Sequence, residues 1–112
     1  MRPEAGDALA DARARVLHDL SATLPTTPAI VDILDRAVSQ RREWVQPWPD
    51  GAAFLVCLVA QDVQEALSES VGRWPRCRTN GDHTLHVEPD LGEDPHWVCE
   101  DCPGVVAPVG EL

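Results

Sequence analysis

The stretch His96-Trp97-Val98-Cys99-Glu100-Asp101-Cys102-Pro103-Gly104 decides how this chain is read. Cys99 and Cys102 form a C-x2-C knuckle. Two intervening residues let both sulfurs point at one ion while the amides between them turn inward. Zinc takes four such ligands in a tetrahedron. Cys77 stands upstream, separated from Cys99 by 21 residues, which is room for two short strands and a turn. The spacing predicts ribbon anatomy: a first ligand pair, a hairpin, then a second ligand pair.

The hairpin itself is legible. Leu85 and Val87 alternate with Thr84, His86 and Glu88, as a half-buried strand requires. Pro89-Asp90-Leu91-Gly92 supplies the turn. His96-Trp97-Val98 returns, and Val105 to Val109 adds a third short strand after Pro103-Gly104. The fourth ligand is less obvious. An orthodox knuckle would put it at Asn80, three residues after Cys77, and Asn is a poor zinc ligand. His83 is the preferred choice, because it lies just before the strand, where a loop can bend it inward. His86 and His96 are the alternatives. The expected set is therefore Cys77, His83, Cys99 and Cys102, holding a structural zinc ion. The competing readings are a metal-free module with reduced thiols and a redox-active Cys99–Cys102 pair. The redox reading suffers because such pairs open a helix, and Pro103-Gly104 disfavours one here.

A metal would matter physically. The 39 residues from Trp74 to Leu112 bury little apolar area, with Trp74, Leu85, Val87, Trp97, Val98 and Val105 as a miniature core. Metal binding contributes on the order of 10 kcal/mol to folding such a unit.

Upstream, the pattern is helical. Leu9, Ala12, Val16, Leu17, Leu20 and Leu24 recur at helical spacing over Asp7 to Leu24, with Arg13, Arg15 and Asp19 between them. Pro25 ends that helix. Thr27 caps a second, with Pro28 at its first position, running on Ile30, Ile33, Leu34, Ala37 and Val38 to about Arg42 or Trp44. The connector Trp44 to Gly51 holds two prolines, and its two Trp residues are expected to plug the junction between helices and module. An aromatic-lined groove is the alternative. Asp50 is the expected N-cap of a third helix, with Leu55, Leu58, Val59, Val63, Ala66, Leu67 and Val71 on its stripe and Gly72 at its end. A strand over Ala53 to Val59 competes, since a short apolar run has no decisive period. Cys57, inside that run, is read as a small core residue. The expected class is thus α+β: about three helices in residues 1–73, then a zinc-ribbon-like module in residues 74–112.

Charge narrows the partners. The chain has 19 acidic and nine basic residues, and all nine are Arg. From Thr79 to Leu112 there are eight acids and no Arg, a surface that repels phosphate backbones. Only spatial clustering of Arg36, Arg41, Arg42, Arg73, Arg76 and Arg78 would restore a nucleic-acid reading. No secretory signal is visible, and Ala52 to Ala60 is too short to span a bilayer, which needs about 20 residues. A cytoplasmic setting is expected, where paired cysteines more often bind metal than form disulfides.

The series Val59-Ala60-Gln61-Asp62-Val63-Gln64-Glu65-Ala66, Trp74-Pro75-Arg76-Cys77, His83-Thr84-Leu85, Trp97-Val98-Cys99 and Val106 to Leu112 resembles small uncharacterised proteins of high-GC actinobacteria and their phages. The resemblance covers the chain from Val59 onward. It departs at Thr84, where those proteins have Pro, at Asn80, near which many carry His, and at Cys102, which many lack. It implies no activity, and it adds a phage particle as a possible setting.

No catalytic motif supports an enzyme. His86-Val87-Glu88 with Cys99 and Cys102 superficially echoes a zinc deaminase, but Val98 stands where Pro is required. The expected function is a non-enzymatic adaptor that contacts a protein partner or its own copies. The alternatives are an acidic inhibitor that occludes a basic nucleic-acid-binding site, and a nucleic-acid-binding ribbon.

Overall fold

The computed structural model describes residues 5–79, 81–102 and 105–112. Three helices precede a three-stranded antiparallel sheet. Helix α1 spans Ala5–Thr23 and α2 spans Pro28–Val45. On α1, Leu9, Ala12, Val16 and Leu20 are buried at helical spacing. On α2 the buried stripe is Ile30, Leu34, Ala37, Val38 and Val45, and Thr27 Oγ1 accepts the Ile30 N–H at 3.3 Å as the sequence predicts. Each fully buried Leu or Val contributes about 1.5–3 kcal/mol relative to an exposed one.

The entry to α3 departs from expectation. A 3-10 helix, Pro49–Phe54, comes first, and α3 spans Leu55–Ser70 without a side-chain cap. Asp50 sits in the first turn of the 3-10 segment, so it is not the cap of α3. The strand alternative over Ala53 to Val59 is not what forms. The reason is local packing. Trp44 and Trp48 meet edge-on, ring centroids 5.2 Å apart, and the backbone at Gly51 lies so close that an added Cβ would meet both rings at 2.8 Å. These two Trp residues therefore close the corner between α2 and α3, with Arg41 over the Trp44 ring. They do not fill the junction between helices and module. Gly72, with φ +117°, ends α3 by donating to the Leu67 carbonyl at 2.8 Å, a conformation that favours glycine.

The strands are short: β1 His86–Glu88, β2 His96–Val98 and β3 Val105–Pro108, in that spatial order. Val87 pairs with Trp97, and Trp97 with Ala107. These three are buried and form the inner face. Val98 is half-buried and Val105 is 62% exposed, so neither belongs to the inner core foreseen for them. Period-two alternation turns Val98 outward with His86, Glu88 and His96, and the register shift between Trp97 and Val98 sets Val105 opposite Val98 instead of on the face of Ala107. Pro103-Gly104, read as the turn before β3, and Asn80 lie outside the described residues.

Two tryptophans of the sheet module fill the junction instead. Trp74 and Trp97 meet edge-on at 5.4 Å. Trp74 Nε1 donates to Thr23 Oγ1 at 2.8 Å, and Trp97 Nε1 to Asp19 Oδ2 at 2.8 Å. Thr23 and Asp19 stand one turn apart on α1. Asp19, fully buried, also accepts the Gly110 N–H at 2.6 Å and the Leu112 N–H at 2.9 Å. Buried polar groups need such partners, and here Oδ2 has two and Oδ1 has one. From α3, Gln64 Nε2 donates to the carbonyls of Trp74 and Leu85, and Gln61 Nε2 to that of Asp90. The buried apolar residues form one continuous cluster from Leu9 to Val109.

Candidate metal centre

Three segments bring the site together. Cys77 follows the Trp74-Pro75 entry, and the backbone N–H of Cys77 donates to the His83 carbonyl at 2.9 Å. An isolated antiparallel bridge pairs Arg76 with Thr84. The loop between them is thus pinned so that Cys77 and His83 face the same point. The knuckle Cys99 and Cys102 arrives directly after β2.

The geometry fits a tetrahedral ion. Cys77 Sγ lies 3.7 Å from Cys102 Sγ, and His83 Nδ1 lies 3.6 Å from Cys99 Sγ and 3.7 Å from Cys102 Sγ. All four ligand atoms fall within 4.8 Å of one another. A tetrahedron with metal–sulfur bonds of about 2.3 Å and a metal–nitrogen bond of about 2.0 Å has edges of about 3.5–3.8 Å. The close distances match those edges. Cys77 and Cys99 are buried, while His83 and Cys102 are half-buried. Crowding pushes the Cys102 thiol up to about 12, through its hydrogen bonds to Cys99 and Cys77 first and burial next. A divalent cation inverts that preference, since it holds its sulfur ligands as thiolates.

His83 leads with Nδ1, and its Nε2 lies 3.7 Å from Asp101 Oδ2. A carboxylate on the far nitrogen of a ligating imidazole orients the ring and raises its basicity. Sequence reading did not single out Asp101, although its place inside the knuckle was a usable signal.

The other candidates lie elsewhere. His86 Nε2 is bonded to Glu88 Oε1 at 2.9 Å on the outer face of β1, and His96 lines a groove on that same face. Neither joins the four-residue cluster, so the deaminase-like pairing of His86-Val87-Glu88 with the knuckle does not form. Cys57 is buried, with its Sγ 3.0 Å from the Phe54 carbonyl. The arginine strip is largely occupied within the chain: Arg41 grips Asp62 through two nitrogens, and Arg73, Arg76 and Arg78 donate to the carbonyls of Asp82, Gly81 and Leu112. Among the described residues, no helix is long and apolar enough to cross a membrane.

Fold and site together define a small α+β protein with a Cys3His cluster compatible with a metal centre. Comparison with known families goes one step further. The chain belongs to the family described as a domain of unknown function, DUF8819, whose model matches residues 5–109. No curated protein and no solved structure shows significant similarity to it.

Proposed function

We propose that this chain is a non-enzymatic, zinc-binding structural or adaptor protein that acts through protein–protein contacts. One observation carries the reading: four protein ligand atoms lie within 4.8 Å of one another, three of their pairs at 3.6–3.7 Å, so that together they would fill the shell of a four-coordinate ion. A catalytic zinc keeps a coordination position open, and a structural zinc does not. The three-sulfur donor set favours zinc over magnesium or calcium, which take oxygen ligands. The ion would brace a module whose inner face docks on the helices, leaving the outer face of the sheet for a partner. The cytoplasm, or a phage particle as the resemblance to actinobacterial and phage proteins suggests, is the proposed setting.

The test is elemental analysis of freshly purified, reduced protein. About one zinc per chain is expected, as a Cys3His site requires, and it should vanish in Cys77→Ser. Reduced protein without metal, and without zinc uptake on titration, would overturn the reading.

A further inference from the structure

The turn joining β1 to β2 contributes carboxylates to two open grooves, Glu88 and Asp90 to one and Glu93 to the other. The first, about 540 Å³, is lined by Val98, Val105 and Pro89 together with Glu88, Asp90 and His96. The second, about 410 Å³, is lined by Ala52, Ala53 and Val56 together with Asp7, Asp11 and Glu93. The one cation lining it, Arg15, is tied to Asp11 at 2.9 Å. In the chain, Leu91 follows Asp90 of the first groove and precedes Glu93 of the second, and it is 55% exposed. The turn is held in place, because Gln61 Nε2 on α3 grips the Asp90 carbonyl at 2.6 Å. His86 likewise positions the Glu88 carboxylate. The region is therefore an ordered surface on which aliphatic and carboxylate side chains line the same open grooves.

We propose that this acidic turn and its two grooves dock a basic, amphipathic segment of another protein. The proposal rests on the adaptor reading above and is independent of the metal. Charge complementarity selects the occupant. Arg and Lys carry aliphatic stems that cover apolar surface while their heads stay at a polar rim. Stems laid over Val98 and Val105 bring the heads to Glu88 and Asp90, and an apolar residue of the segment meets Leu91. The next basic residue then reaches Glu93 and Asp7. Nucleic acid and anionic membrane are repelled by the same carboxylates. A second copy of this chain is disfavoured by its formal net charge of −10.

The probe is a synthetic peptide of alternating arginine and leucine, titrated calorimetrically against the full chain at low and high salt. Two triple variants of equal charge change are compared: Glu88→Gln/Asp90→Asn/Glu93→Gln in the turn, and Glu43→Gln/Glu65→Gln/Glu69→Gln on exposed helical positions. The turn triple should weaken binding roughly tenfold and flatten its salt dependence, while the helical triple stays within about twofold. Val105→Ser, at an exposed site that tolerates change, should weaken binding about threefold through the lost apolar contact, which a purely electrostatic attraction would not show. Equal losses in both triples, or no binding at millimolar peptide, would overturn the proposal. Binding untouched by the turn triple overturns this surface but leaves the adaptor reading standing. Salt-sensitive dimerisation without peptide, abolished by the turn triple, would assign the surface to a second copy instead. Zinc content of the same samples reports separately on the metal.

Discussion

The helical region and the sheet module solve the same problem by opposite means. The helices bury stripes of Leu, Ile, Val and Ala, and their specificity comes from where apolar residues recur. The sheet module adds Trp74, Leu85, Val87, Trp97 and Val109 to the same core, but apolar recurrence does not fix its place. It is positioned by directed bonds: indole N–H groups on Asp19 and Thr23, glutamine amides on its carbonyls, and four ligand atoms around one point. Apolar packing is tolerant of exchange, whereas directed bonds fail when one partner goes. The two regions should therefore respond very differently to small substitutions.

The largest effect tests that contrast most directly. Cys99→Ser should abolish metal binding and remove on the order of 10 kcal/mol from the sheet module. The helices have their own stripes, and a departing module exposes Asp19 to water rather than stranding it. Far-UV circular dichroism should retain most of its helical signal, while Trp74 and Trp97 fluorescence shifts to the red. Loss of most helical signal would show instead that the two regions unfold as one.

Next comes Asp19→Ala. It leaves three N–H groups, on Trp97, Gly110 and Leu112, without their acceptor. At about 1–3 kcal/mol for each stranded donor, with water relieving part of it, a loss of about 3–5 kcal/mol is expected. The urea midpoint should fall accordingly. A loss below about 1 kcal/mol would mean that directed bonds do not hold the module down.

Gly110→Ala sharpens the same junction. Gly110 has φ +105°, and an added Cβ would meet the Arg15 side chain at 2.8 Å and its backbone at 3.3 Å. Backbone strain and crowding together should cost about 2 kcal/mol, lowering the thermal midpoint by about 8–16 °C in a domain of this size.

The smallest effects belong to ion pairs on the helices. Arg41 and Asp62 are about a fifth exposed and bonded at two points, so Asp62→Asn should cost about 1 kcal/mol. Arg13 and Asp35 form a more exposed pair, and Asp35→Asn should cost less than about 0.5 kcal/mol. Reversal of that order in chemical denaturation would show that burial does not set their worth.

The helices were legible because their signal is periodic and redundant, and Thr27-Pro28 marks a start that the backbone obeys. The Cys/His cluster was legible because ligand chemistry admits few residue types; Cys77, His83, Cys99 and Cys102 are the four brought together. What periodicity did not reveal were bonds between distant residues. Asp19 falls seven residues after Ala12 and three after Val16, on the buried stripe itself. An acid there was the available clue to a polar junction, but its partners lie 78 to 93 residues away. Trp44 and Trp48 were misplaced for a related reason: a tryptophan pair announces burial without saying against what. The 3-10 entry to α3 depends on the close approach at Gly51, a tertiary contact that no window of sequence contains.

The socket at Asp19 also bears on how the chain is made. During synthesis Asp19 leaves the ribosome on the order of 5–20 s before Gly110 and Leu112, at typical elongation rates. During that interval α2 and α3 emerge to cover the apolar stripe of α1, while the Asp19 carboxylate still lacks its partners from the end of the chain. Only when the last strand arrives does the same carboxylate become the anchor of the finished fold. The bonds at Asp19 are thus among the latest that the chain can make.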